Sequence, residues 1–466
     1  MGRLTDMPGR EIWYRWRNRL FVSLVALGLS FAFAAHAVDG DRFGEIRVLT
    51  PPGAERGMVM MFSDAAGWSD ADQAAATALA QAGAIVAGID SRYYAERLNE
   101  VAEACHVFIG DVDGLSRQLQ RLHGSQGYHS PILFGVGEGG AIAAANVRQA
   151  LANTVAGAVA LDTRLDVITE RPPCQDGLTK IAEKMVPDAG PRSLPGFWTA
   201  AFHPGSATAA RQFLTGWAAS GSPVNVAEVA DGASEVDVAM ALVAPHLRAI
   251  QSGAPGDELA ALPLVELPAA APTDRMAIIL SGDGGWRDID KTLAEALQAR
   301  GVSVLGWDCL RYFWYAKTPD EVARALATVL RVYGARWGAR HVVLIGYSFG
   351  AGVLPFAFNR LPTDLRDRVS LMSLLGFTQS ADFEINITGW LGAPPTDAAL
   401  PVATEVKQLP AGLVQCFYGA DEHDSYCPEL EGHGIDTIRM PGGHHFDGDY
   451  SGLADKILAG FARRTQ

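Results

Sequence analysis

The sequence predicts an α/β protein of two tandem domains with mainly parallel sheets, and three observations carry that expectation. The first is an internal repeat: residues 57–68, GMVMMFSDAAGW, return at 275–286 as RMAIILSGDGGW. The second is the grammar shared by the copies. An apolar run of strand length ends in small residues and a Trp. An alanine- and leucine-rich stretch follows, a glycine stops it, and a second apolar run ends at Asp90 or Asp308. Strand, loop, helix and strand make a βαβ unit, whose crossover connection demands a parallel sheet covered by helices. The third is a further strand in each copy, PILFG at 131–135 and HVVLIG at 341–346, each entering a glycine-rich turn and a small-residue helix. A stretch at 251–272 rich in Pro, Ala and Gly reads as a linker. The domains then span about 43–250 and 273–466.

Residues 1–37 read as a secretory signal peptide. Arg3, Arg10, Arg15, Arg17 and Arg19 outweigh Asp6 and Glu11, Leu20 to Ala35 is almost wholly apolar, and Ala35-His36-Ala37 is a small-x-small cleavage site. The apolar run is shorter than the roughly 20 residues of a spanning helix. Cleavage after Ala37, or retention as an N-terminal anchor, places the rest outside the cytoplasm. The chain is 48% apolar and 19% charged, enough to bury two cores. Its net charge of -14, near -17 once the five arginines and two acids of the leader are gone, supplies no basic face for nucleic acid. The cysteines number five. In an oxidising compartment Cys416 pairs with Cys427 across a turn-rich loop and Cys105 with Cys174, leaving Cys309. The absence of C-x-x-C disfavours thioredoxin chemistry and a cysteine-rich zinc site, and no cofactor or metal is expected.

The chemistry concentrates in the second copy. Gly346-Tyr347-Ser348-Phe349-Gly350 fits G-x-S-x-G between a strand and a helix. That is the nucleophile elbow of an α/β-hydrolase, in which the following helix aims free N–H groups at developing charge. The chain order in such domains is serine, acid, histidine. The run 413–427 offers Asp421 just past a late strand, with Glu422 and Asp424 as alternatives. The run 435–450 offers His444, with His445 as rival. Phe349 N–H is one oxyanion donor, and the loop Ser281–Trp286 supplies the second, from Asp283 or Gly284. Trp286 is read as pocket wall or core, and Tyr347 as a pocket neighbour. The first copy aligns Gly137 with Ser348 and Glu138 with Phe349, and it lacks a convincing acid-then-histidine pair. It is expected to be a degenerate, non-catalytic domain that binds substrate, shapes the cleft or takes a protein partner.

The stretches SGDGGWRDIDKTLAEAL, RYFWYAKTPD, VVLIGYSFGAGVLPFAFNRLP and MPGGHHFDGDY resemble the VirJ/AcvB family of proteobacterial virulence proteins, and the two-domain layout is similar to its long, AcvB-like form. The resemblance implies a periplasmic serine hydrolase, soluble or peripherally attached, acting on aminoacylated phosphatidylglycerol at the inner membrane, typically the lysyl form. It maps the triad onto Ser348, Asp421 and His444. Cys309 departs from the serine expected in the D-x-L-R-Y-F-W stretch. A lysyl group would suit acids, for which Asp382, Glu384, Glu422 and Asp424 are candidates. Arg311 and Lys317 would face lipid phosphate. Tyr312, Phe313, Trp314 and Tyr315 read equally as an aromatic rim or a core. A general periplasmic carboxylesterase or lipase would use the same triad, and an adaptor would use the fold only as a scaffold.

Overall fold

The computed structural model describes residues 36–174, 178–181, 184–187, 194–249, 259–386, 396–410 and 412–465. Residues 35–466 form one compact unit. The predicted leader, apart from His36 and Ala37, and the linker residues up to 258 lie outside the described residues.

The first lobe is built on β1 (His36–Asp39), β2 (Glu45–Leu49), β3 (Gly57–Phe62), β4 (Ala84–Ile89), β5 (Ile132–Val136), β6 (Gly157–Leu161), a hairpin of β7 (Leu178–Ile181) and β8 (Lys184–Pro187), then β9 (Phe197–Phe202) and β10 (Val224–Glu228). Its sheet runs β1-β2-β4-β3-β5-β6-β9-β10. The pairs β1/β2 and β2/β4 are antiparallel and the rest parallel. The second lobe holds β11 (Leu264–Leu267), β12 (Arg275–Leu280), β13 (Ser303–Trp307), β14 (His341–Tyr347), β15 (Val369–Leu375), a short pair of β16 (Ser380–Ala381) and β17 (Leu400–Pro401), β18 (Val414–Gly419) and β19 (Asp436–Met440). Its sheet runs β11-β13-β12-β14-β15-β18-β19, antiparallel only at β11/β13. Apart from β1, one order describes both sheets.

The strands are continuous apolar runs because both faces are covered. Every residue of β3 is buried, as is every residue of β12 after Arg275. Separate hydrophobic clusters lie on the two faces of each sheet. Tyr128 of the first lobe packs into a core cluster of the second. In each lobe the chain steps from its central strand outward, then crosses back to the other side. That switch sets the loops after β12 and β14 side by side at the carboxyl ends of the strands, where open α/β sheets bind ligands.

Two boundaries differ from the sequence reading. Leu264–Leu267, inside the stretch read as linker, is strand β11, paired with β13. Its Glu266 accepts a 2.6 Å hydrogen bond from Tyr333 Oη. Proline and alanine on both sides masked a four-residue edge strand. His36 and Ala37, placed before the expected cleavage point, are the first residues of β1. Among the described residues, no helix is long and apolar enough to cross a membrane.

Cys105–Cys174 and Cys416–Cys427 are disulfides, and Cys309 is a buried free thiol. Thiol labelling of denatured, unreduced protein is therefore expected to add one adduct, at Cys309. Adducts on Cys416 or Cys427 would refute the pairing.

Candidate active site

Ser348 sits between β14 and the helix Phe349–Asn359 at φ 51°, ψ -111°. A side-chain-bearing residue in such a conformation stores strain of roughly 1–3 kcal/mol, so its surroundings must over-determine it. The Ser348 N–H donates to Leu375 O at 2.8 Å and its carbonyl accepts from Gly352 N–H at 3.1 Å. The flanking glycines are required by contact. A Cβ on Gly346 would lie 2.5 Å from Gly350 O, and one on Gly350 would lie 2.3 Å from Leu280 O.

The acid and base come from the next loops along the sheet. His444, past β19, places Nδ1 2.6 Å from Glu422 Oε1, past β18. The Glu422 side chain is 2% exposed, and its other oxygen accepts from Gly419 N–H at 3.0 Å. The carboxylate that meets His444 is thus Glu422 and not Asp421, the first choice from the sequence. A turn closed by Glu422 N–H to Gly419 O reverses the chain and tucks Glu422 inward, whereas Asp421 and Asp424 are exposed. The sequence reading took the first carboxylate after the strand, and the direction of a turn shifts that choice by one residue.

The His444 ring lies at the elbow. A Cβ on Gly376, which has φ +60°, would be 2.6 Å from its Cε1, and the adjacent Leu375 carbonyl is the one that holds Ser348 N–H. The Tyr347 ring is 5.2 Å from it. With Nδ1 on a carboxylate, Nε2 is left for the serine. Burial opposes charging this ring, but the hydrogen bond and charge of Glu422, aided by Asp424 and Asp283, outweigh it and raise the His444 pKa. His445 is placed differently. Its Nδ1 meets Tyr347 Oη at 3.1 Å, and burial and the neighbouring His444 lower its pKa.

The first lobe reproduces the elbow without its nucleophile. Gly137 adopts φ 54°, ψ -115°, within a few degrees of Ser348. The N–H of Glu138, equivalent to that of Phe349, donates to Asp64 Oδ1 at 3.1 Å. A Cβ on Gly137 would lie 2.1 Å from that same oxygen. In the repeat alignment Asp64 corresponds to Gly282. The first lobe therefore shows an anionic oxygen on the elbow N–H, and the second lobe has no side chain to put there. Glu138 is raised in pKa, first by its hydrogen bond to Asp64 and then by burial, and it also pairs with Arg164 at 2.8 Å. A histidine–acid pair does exist in this lobe, which the sequence reading missed. His203 Nδ1 is 2.6 Å from Asp162 in the acid-then-histidine order of the fold, but one strand early: Asp162 follows β6 and His203 follows β9, the counterparts of β15 and β18, whereas Glu422 and His444 follow β18 and β19.

The other candidates divide. Trp286 is 4% exposed and packs on Gly306, so it is core. Phe313 and Trp314 are also core, and Phe313 meets Phe349 edge-on at 4.9 Å. Tyr312 is half-buried and Tyr315 exposed. Arg311 pairs with Asp308 and reaches Ser130 of the first lobe, and Lys317 lies over Tyr312. Both line a cleft of about 700 Å³ walled by both lobes. Glu384 pairs with first-lobe Arg121, and Asp382 accepts from Thr396. These two border a second cavity, of about 530 Å³. Neither cavity is lined by Ser348 or His444. Glu422 is committed to His444, which removes it as a partner for a cationic substrate. Asp283, by contrast, bears electrostatically on Tyr347, His444 and His445.

Sheet order, a strained serine elbow and a half-buried histidine paired with a buried carboxylate define a domain of the α/β-hydrolase fold. Residues 274–465 match the family described as Bacterial virulence protein (VirJ). Among solved structures the chain is similar to Est1E from Butyrivibrio proteoclasticus, with 14% identity, 43% of this chain and 93% of that chain covered, and a TM-score of 0.31. It is similar to MenH from S. aureus, with 11% identity, 44% and 99% coverage, and a TM-score of 0.34. It is also similar to YbtT, a type II thioesterase of the yersiniabactin pathway, with 14% identity, 44% and 99% coverage, and a TM-score of 0.31. No curated protein matches the chain.

Proposed function

We propose that the second lobe is a serine hydrolase of the periplasm that cleaves the aminoacyl ester of aminoacyl-phosphatidylglycerol, releasing the amino acid and phosphatidylglycerol. The observation that carries the chemistry is the Ser348 elbow with the His444–Glu422 pair beside it. The lipid substrate is supported by the motif resemblance, by the family match over residues 274–465, and by the Asp283 carboxylate near the histidines, which suits a lysyl ammonium group. In this reading His444 takes the Ser348 proton as Oγ attacks the ester carbonyl. The Phe349 N–H and the 282–284 loop hold the oxyanion. His444 then returns the proton to the glycerol oxygen, and water resolves the aminoacyl-enzyme. The first lobe takes no chemical part, since Gly137 has no nucleophile and Asp64 fills its elbow.

The experiment is incubation of purified protein with lysyl- and alanyl-phosphatidylglycerol in mixed micelles, with p-nitrophenyl butyrate as comparison. Release of free amino acid supports the reading. Preference for the simple ester would recast the protein as a general carboxylesterase, and no turnover of any ester would favour the scaffold role.

The base must be neutral to accept a proton. Because the His444 pKa is raised, kcat/KM is expected to fall as pH drops through a midpoint above the ordinary histidine value of about 6.5. Glu422→Gln removes the main cause of the shift and moves the midpoint down in whatever activity remains. A wild-type midpoint below 6 would contradict the pairing.

A further inference from the structure

The loop that follows β12 is held from outside its own domain. Three first-lobe side chains reach the segment Asp283–Arg287. Arg117, on the helix Phe108–Leu122, donates from Nη1 to Asp283 O at 3.2 Å. Asn153 donates from Nδ2 to Trp286 O at 2.7 Å. Asp113 accepts from Arg287 Nη2 at 2.6 Å. The carboxylate of Asp113 is saturated, since it also takes Arg117 Nε at 3.2 Å, Arg117 Nη2 at 3.1 Å and Tyr128 Oη at 3.0 Å. Asp113 is fully buried and Arg117 is 2% exposed. A buried ion network of this kind is strong only while complete, because removing one partner strands the others.

The consequence lies in the peptide planes. In a trans peptide the carbonyl and the following N–H point opposite ways. The Gly282 carbonyl accepts from Gly285 N–H at 3.1 Å, which sets the direction of Asp283 N–H. The Asp283 carbonyl is fixed by Arg117, which sets the direction of Gly284 N–H. These are the two candidate second donors to the oxyanion, and Arg287 and Trp286 are gripped just downstream. Inside the loop Ser281 Oγ also donates to Gly282 O at 3.1 Å, and the glycines at 282, 284 and 285 add no side chains to stiffen the planes that follow.

We infer that the first lobe is a positioning domain for the oxyanion loop, with Arg117 and Asn153 as its positioning residues. This rests on the hydrolase reading and adds a role for the degenerate lobe. Neither residue touches substrate. Each acts by holding a peptide plane at the orientation the transition state needs, where small displacements cost rate more than ground-state binding.

The test uses the whole mature chain, p-nitrophenyl butyrate as substrate, and a fluorophosphonate probe driven to completion to count reactive Ser348. Arg117→Lys keeps a cation beside Asp113 but loses the fork that also reaches Asp283 O. Asn153→Gly removes the amide while suiting the left-handed backbone there, φ 62°. The expected result is a fall in kcat per labelled serine of about tenfold for Arg117→Lys and about threefold for Asn153→Gly, with KM changed less than about twofold. The acid limb of the pH profile stays in place, because the base is untouched. A purely structural role would instead reduce the number of labelled serines and leave turnover per serine unchanged, which overturns the inference. If Arg117→Lys fails to fold, Asn153→Gly decides by the same measure. A wild type that neither turns over nor labels overturns the inference together with the hydrolase reading, and is told apart because the parent protein itself fails.

Discussion

Ser348→Ala is expected to cut turnover of aminoacyl-phosphatidylglycerol by at least about a thousandfold, leaving a residue of catalysis from the oxyanion donors. The fold is expected to survive, because Gly137 holds the same backbone conformation in the first lobe without any side chain. Circular dichroism and Tm close to wild type check that point. His444→Ala is expected to match the loss, and the double variant to be little worse, since nucleophile and base act as one unit. His445→Ala, which removes the Tyr347 hydrogen bond and an edge-on ring contact with His444 but leaves the Glu422–His444 pair intact, is expected to retain most activity. Near-normal turnover by folded Ser348→Ala protein would end the serine-hydrolase reading.

Glu422→Gln is expected to be the second most damaging change, in the range of ~100-fold to ~10,000-fold in kcat. The amide keeps the volume but loses the charge that steadies the imidazolium, and it invites the wrong tautomer of His444 at the 2.6 Å contact. Asp421→Asn, at an exposed position one residue away, is expected to stay within about threefold of wild type. The two variants measured side by side on one ester settle the acid. A large loss in Asp421→Asn with little loss in Glu422→Gln would restore the sequence assignment.

Much of this was legible before any coordinates. The repeated β3 and β12 segments showed two α/β units because both faces of their strands are covered and the apolar runs are unbroken. Ser348 was legible because its elbow is steric, and the glycines two positions either side are forced by contacts under 3 Å. His444 was legible from the chain order of the fold. The carboxylate that pairs with it was not, because the fold of the four-residue turn 419–422 decides which of Asp421 and Glu422 faces inward. Edge strand β11 was hidden by its proline-rich neighbours. The grip of Arg117 on Asp283 was beyond reach, since two residues so far apart in sequence meet only once the lobes pack. The neighbours that Arg311, Lys317 and Glu384 find in the other lobe were beyond reach for the same reason.

The Asp64 carboxylate also decides what the first-lobe elbow can accept. Restoring a serine at Gly137 alone would drive its Cβ to 2.1 Å from Asp64 Oδ1, so the hydroxyl and the aspartate cannot occupy the elbow together. Clearing Asp64 first would open the elbow but also strip Glu138 N–H of its acceptor and Glu138 of its carboxyl partner. Each single step toward a second active centre therefore passes through a less stable intermediate. The spare elbow is locked in this sense: with an internal anion already on its N–H, the first lobe can serve as a support but cannot gain a nucleophile by a single unstrained substitution.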